Sequence, residues 1–173
     1  MILKELLERS EYTLVQGSED VEISTLVYDS RKIEKGSVFV CISGAAFDGH
    51  KFVAQAAELG AAAVVVEKDV EVPENLTVIK FDNTRLDLDE MSAAYFGYPA
   101  EELTTIGITG TKGKTTTTYM IRAVLEHAGQ KTGLIGTIET IIGDERIPSV
   151  NTTPESYICL LYTSPSPRDT ERS

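Results

Sequence analysis

The sequence predicts an α/β protein in two parts: a small front α/β domain, then the truncated start of a parallel-sheet domain. Three observations carry this. Strand-like runs ("STLVYDS", "GSVFVCISG", "AAAVVVEK", "LTVIKF") alternate with helix-like ones ("DGHKFVAQAAELG", "TRLDLDEMSAAYFGY") over residues 1–97. "GYPAEEL" (97–103) then combines a helix stop, a proline and charge, so residues 98–103 read as a linker. A fresh strand–loop–helix–strand pattern opens at residue 104, as at the start of a parallel βαβ unit.

In order along the chain, residues 2–10 predict a short helix with Ile2, Leu3, Leu6 and Leu7 on one face. "STLVYDS" and "GSVFVCISG" are rich in β-branched and aromatic residues and bounded by turn formers, with the charged turn "SRKIEKG" between them. "DGHKFVAQAAELG" predicts a helix, with Asp48 near its start and Gly60 just past its end. "AAAVVVEK" is almost continuously apolar, as in a strand covered on both faces. "LTVIKF" is a further strand, and the helix "TRLDLDEMSAAYFGY" has Leu86, Met91, Ala94 and Tyr95 among its apolar positions. In the second part, strand "TTIGITG" leads through a glycine-rich turn into a helix from about Lys114 to His127, stopped at Gly129. Strand "KTGLIGTI" and a hairpin around Gly143-Asp144 follow. Beyond Tyr162 the chain carries three serines, two prolines and four charged residues without any period. That is the composition of a disordered tail. One strand–helix–strand cannot bury its own sheet faces, so the second domain reads as cut off and the chain as a fragment.

Composition narrows the function. Hydrophobic residues make up 42% and charged residues 25%, the balance of a soluble globular protein. The net charge of −11 is uneven: 18 acids face 9 bases in residues 1–100, but 9 face 7 in residues 101–173. The bases form no run or stripe, which argues against nucleic acid as a partner. Cys41 and Cys159 lie far apart in no metal-like spacing, and Cys41 sits in the apolar run "SVFVCI" as a buried structural thiol would. The N-terminus lacks the apolar core of a signal peptide, and no run approaches the ~20 residues of a membrane span. A cytoplasmic protein with no membrane insertion is the expectation.

The chemistry concentrates in "GITGTKGKTTTTYM" (107–120). A phosphate site needs backbone N–H groups turned inward, and glycines let the chain approach without Cβ clashes. Gly110 and Gly113 bracket the turn, and Lys114 opens a helix whose N-terminal dipole favours anions. Lys114 is placed to reach the β- and γ-phosphates and is the candidate catalytic residue; Thr115 would offer its hydroxyl to Mg²⁺. Gly110, Thr111, Lys112, Gly113, Lys114, Thr115 and Thr116 are the candidate ATP-binding residues. Ile108 stands where the strict Walker A pattern has its first glycine, at the strand exit and not beneath the phosphates. Thr117 and Thr118 are open to a purely structural reading.

"GITGTKGKTTTT" resembles the nucleotide loop of the Mur ligases, the ATP-dependent enzymes that build the peptide of bacterial peptidoglycan. That family's loop usually lacks the first Walker glycine. "YDSRKIEKGSVFVCISGAAFDGHKF" looks like the family's N-terminal uridine-nucleotide domain, and "NTTPES" (151–156) resembles the substrate loop of MurE-type ligases. Order and spacing fit across residues 1–157, after which the family pattern stops; residues from about Leu160 read as foreign to it or disordered. The resemblance implies an ATP-dependent amide ligase that adds a third amino acid, meso-diaminopimelate or L-lysine, to UDP-N-acetylmuramoyl-L-alanyl-D-glutamate. ATP would phosphorylate the D-glutamyl carboxylate, and the incoming amine would attack the acyl phosphate.

By matching positions, Ser30 would contact the UDP-sugar peptide, and Ala45, Ala46 and Phe47 would line the uridine pocket. Asn151, Thr152 and Thr153 would meet the muramoyl-peptide end. The expected cofactors are ATP and Mg²⁺, the expected partners are the UDP-muramoyl dipeptide and an amino acid, and the expected state is a monomer. Residue chemistry alone leaves alternatives. Asp29-Ser30-Arg31 also suits a plain turn, His50 a surface helix position, and Thr153-Pro154 a helix entry. A P-loop ATPase with an unrelated front domain and a non-catalytic UDP-sugar-binding module both remain open at this point.

Overall fold

A computed structural model describes residues 1–44, 48–149 and 155–163, with the side chains of 162 and 163 left aside. The chain divides into two compact units, Met1–Tyr95 and Phe96–Ser173.

The first unit is built on a five-stranded sheet of order β1-β5-β4-β3-β2, where β1 is Thr13–Gln16, β2 Leu26–Val27, β3 Val38–Val40, β4 Ala63–Val66 and β5 Thr77–Lys80. β2 through β5 run parallel, in the registers Leu26↔Val38, Phe39↔Val64 and Val65↔Ile79. β1 adds antiparallel to β5, with Thr13 opposite Lys80 and a register shift between Leu14 and Gln16. Every residue of β4 is buried, the outcome its unbroken apolar run predicts for a strand covered on both sides.

Pleating sends successive side chains to opposite faces. Phe39, Cys41, Val64, Val66 and Val78 form one core with Val53 and Ala56 of helix α2 (Val53–Glu58). The alternate set, including Val38, Val40, Val65 and Ile79, is equally buried. Helices α1 (Leu3–Leu6) and α3 (Thr84–Tyr95), which contact each other, bury Leu3, Leu6, Leu88 and Met91. At roughly 25 cal/mol per Å² of apolar surface removed from water, these two layers dominate the stability of the unit.

The second unit contains α4 (Lys114–His127), an antiparallel sheet of β6 (Gly133–Ile135), β7 (Glu139–Ile142) and β8 (Glu145–Pro148), and α5 (Ser156–Thr163). The hairpin expected at Gly143-Asp144 joins β7 to β8, and Gly143 adopts φ +55 at the first turn position. Two expectations fail here. Residues 104–110 form no strand, and β6 pairs antiparallel with β7 instead of entering a parallel βαβ sheet. A strand exists only with a hydrogen-bonding neighbour, and the adjacent hairpin is the partner that β6 finds. α5 also continues as helix through Thr163, past the point at which the sequence reads as a tail.

Candidate functional site

Gly113 makes the turn into α4. It is the N-cap residue at φ +79, a left-handed conformation that L side chains rarely adopt, and Gly110 before it takes φ +149. No side chain caps the helix, so its first N–H groups keep the unsatisfied donors and positive dipole end that attract anions. The first backbone bond of the helix runs from the Thr117 N–H to the Gly113 carbonyl, 2.9 Å. Lys114 Nζ curls back and donates to the carbonyl of Gly110, so its charge lies across the mouth of the loop. A phosphate bound there would replace that carbonyl as acceptor, a charge-assisted bond displacing a weaker one.

Thr111, Lys112 and Thr116 are exposed on the loop and first turn, and Thr115 is half-buried. The Thr118 hydroxyl donates to the Thr115 carbonyl at 2.7 Å and the Lys114 carbonyl at 3.2 Å, so it is spent on its own helix. Ile108, Lys114, Thr115, Thr118 and Tyr119 form one wall of an open cleft, and residues 134–139 form the other.

Sequence reasoning missed a polar pair that lines this cleft. Glu139, the first residue of β7, accepts a hydrogen bond from the Tyr119 hydroxyl and another from Arg146 Nη1 at 2.8 Å. The bond to Glu139 raises the Tyr119 phenol above its usual range, with burial and the carboxylate charge adding to it. No local pattern flags Tyr119 or Glu139, because their pairing joins a helix to a strand 20 residues away.

In the first unit, Asp29 caps a short 3₁₀ turn, Ser30–Lys32. Its carboxylate accepts from Arg31 N at 3.0 Å, Nε at 2.9 Å and Nη2 at 2.7 Å. The Arg31 guanidinium holds the Asp29 carboxyl at about 2. Ser30, between these two residues in sequence, is buried. The plain-turn geometry is therefore real, and it coexists with any role Ser30 has toward a ligand.

His50 is not a surface residue, contrary to the expectation. Its side chain is 4% exposed, with Nδ1 2.7 Å from Asp48 Oδ1. Nε2 accepts the Glu67 backbone N–H at 2.9 Å, which assigns the neutral tautomer with its proton on Nδ1. Lys68 Nζ lies 2.6 Å from Asp48 Oδ2, and its hydrogen bond, followed by those from His50, drives the Asp48 carboxyl far below its usual range.

Glu67 extends the cluster. Burial opposes its charge, but hydrogen bonds from Ser43 and Thr84 outweigh that and lower its carboxyl. The Thr84 hydroxyl contacts both Glu67 Oε1 at 3.0 Å and the Cys41 carbonyl at 2.7 Å. Gly49 packs against the Cys41–Ile42 backbone, where a Cβ would lie 2.8 Å from Ile42 N. "DGH" is thus a cap, a close approach and a buried pin. Ala45, Ala46, Phe47, Asn151, Thr152 and Thr153 lie outside the described residues.

Two family models match the chain: "Mur ligase family, catalytic domain" over residues 22–97 and "Mur ligase middle domain" over residues 108–170. The chain belongs to the Mur ligase family. This removes the reading in which the nucleotide loop follows an unrelated front domain. A curated relative from Clostridium perfringens, named UDP-N-acetylmuramoyl-L-alanyl-D-glutamate–2,6-diaminopimelate ligase, is 48% identical over 157 residues. That alignment covers 91% of this chain and 32% of the relative, so the chain spans about a third of the length of such a Mur ligase.

Among solved structures, a UDP-N-acetylmuramoyl-L-alanyl-D-glutamate–2,6-diaminopimelate ligase shares the fold with a TM-score of 0.71 at 19% identity, over 98% of this chain and 34% of that one. MurF from Acinetobacter baumannii matches with a TM-score of 0.59 at 28% identity, over 73% of this chain and 27% of its own. Among the described residues no helix is long and apolar enough to cross a membrane. Nor do any three His, Cys, Asp or Glu residues among them gather as a metal site of their own.

Proposed function

We propose that this chain is the front part of an ATP-dependent ligase that joins 2,6-diaminopimelate to UDP-N-acetylmuramoyl-L-alanyl-D-glutamate. The observation that carries the reading is the 48% identity to the Clostridium perfringens ligase, which runs through both units over 157 residues. Residues 1–97 hold the UDP end, through Ser30 and the segment 45–47. Residues 98–103 link them to the nucleotide domain that starts at 104 and includes α5. Asn151, Thr152 and Thr153 meet the muramoyl peptide.

Lys114 neutralises charge on the transferring phosphoryl oxygens, and the N–H groups of Gly113 through Thr116 cradle the phosphates. Thr115 lines the cleft beside Lys114 and supplies the hydroxyl for Mg²⁺, a metal usually held by one or two side chains together with substrate phosphates. Bound beside the Thr115 hydroxyl, Mg²⁺ would supply positive charge to offset that of the phosphates. The glycine turn and uncapped helix start fit the phosphates, and the Thr115 hydroxyl is the oxygen that would hold the metal. The protein works as a cytoplasmic monomer.

The test is the full-length ligase carrying this sequence, assayed with ATP, the UDP-muramoyl dipeptide and either diaminopimelate or lysine. Phosphate release with diaminopimelate is expected; turnover with lysine alone overturns the substrate assignment. Lys114→Ala is expected to abolish turnover while UDP-dipeptide binding persists. Wild-type turnover by that variant refutes the loop assignment.

A further inference from the structure

We propose that Tyr119 and Glu139 are positioning residues for the nucleotide, and that their hydrogen bond sets the spacing between the Lys114 end of α4 and the turn at residues 136–138. The inference rests on the reading of Gly110–Thr116 as a nucleotide loop. Tyr119 lies five residues past Lys114 on the same helix, and Glu139 directly follows the turn that forms the opposite wall. All four of Lys114, Thr115, Tyr119 and Glu139 line one cleft.

Among the described residues no side chain of α4 is buried, and polar bonds join the helix to the segment that follows it. Tyr119 donates to Glu139, Arg122 Nη2 reaches the Gly143 carbonyl at 3.3 Å, and Glu126 Oε1 accepts from Thr132 at 2.9 Å. Of these, the Tyr119–Glu139 bond alone joins two groups that line the cleft. Arg146 holds Glu139 from the neighbouring strand, but its side chain is 62% exposed, so the pair is screened and contributes less. A phosphate cradle misplaced by even one ångström loses much of its effect, so a bond that fixes the two walls acts on affinity through Lys114 and Thr115.

The experiment measures Mg-ATP and UDP affinity and melting temperature in the full-length ligase, for Tyr119→Phe, Glu139→Gln and Glu139→Ala, with Lys114→Ala as control. Tyr119→Phe and Glu139→Ala are expected to weaken Mg-ATP about tenfold, the scale of one hydrogen bond to a charged acceptor, with UDP affinity unchanged. Glu139→Gln keeps an acceptor oxygen for Tyr119 and is expected within about twofold of wild type. A merely structural bond would lower the melting temperature of Tyr119→Phe and leave Mg-ATP affinity intact; that result overturns the proposal. If Lys114→Ala weakens Mg-ATP while Tyr119→Phe does not, only the positioning role falls. If Lys114→Ala also binds Mg-ATP normally, the nucleotide loop itself is refuted, and this inference with it.

Discussion

Replacing His50 with leucine tests the best-built polar cluster of the first unit. The imidazole makes two bonds, to Asp48 at 2.7 Å and from the Glu67 N–H at 2.9 Å, and its side chain is 4% exposed. Each net hydrogen bond is worth about 1 kcal/mol, and the half-buried Glu67 N–H left without an acceptor adds roughly another. Asp48 loses less, because Lys68 and the His50 backbone N–H still serve it. Apolar gain from the leucine offsets part of the total, giving a loss of about 2–3 kcal/mol. That lowers the melting temperature of a unit this size by about 10–20 °C.

His50→Gln discriminates the cause. Its amide oxygen can replace Nε2 as the acceptor for Glu67, so about half of the loss should return. Urea denaturation followed by far-UV circular dichroism reads both variants, with the m-value expected to stay constant. A leucine variant within ~0.5 kcal/mol of wild type, the usual range for surface substitutions, would refute the buried-pin reading. So would a glutamine variant no better than the leucine one.

Two further outcomes follow from the charged groups and thiols. Burial, with Asp48 and Glu67 nearby, pushes the Cys41 thiol up to about 12, so native protein at pH 8 should leave it unalkylated by iodoacetamide. Cys159 is only half-buried and should label first; mass spectrometry showing equal labelling of both before unfolding would contradict the packing of β3. Asp29 and Asp48 both have folded values depressed below the unfolded carboxylate near ~3.9. Their contribution is therefore complete above about pH 4 and lost as pH falls toward and through about 2, the value for Asp29. The urea midpoint should drop over that interval, and less steeply in Asp29→Asn; an unchanged slope in that variant would exclude the Arg31 fork as a source.

Much of the first unit was legible because its strands are read by burial alone. "AAAVVVEK" and "SVFVCI" have few polar atoms to place elsewhere, and the structure buries them on both faces. β1 escaped notice since Thr13, Leu14 and Val15 are exposed on an edge, so no burial pattern marks them. "TTIGITG" erred the other way, with strong β-propensity but no ladder partner among the described residues, and propensity is a weak guide without a neighbour. At the nucleotide loop the glycines were readable, as a left-handed turn into a helix tolerates little else. His50 was not, because its acceptor role depends on a backbone N–H 17 residues away that no local period reports.

The place of β1 has a consequence for synthesis on the ribosome. Among the described residues the first strand of the front unit, Thr13–Gln16, pairs only with that unit's last strand, Thr77–Lys80, while β2 sits at the far edge. A nascent chain therefore has nothing to dock its leading strand against until about eighty residues have been translated and cleared the exit tunnel. Assembly of the front unit should then be abrupt, without growth strand by strand. Stalled nascent chains ending just before β5 clears should leave β1 unprotected from proteolysis, and chains a few residues longer should protect it.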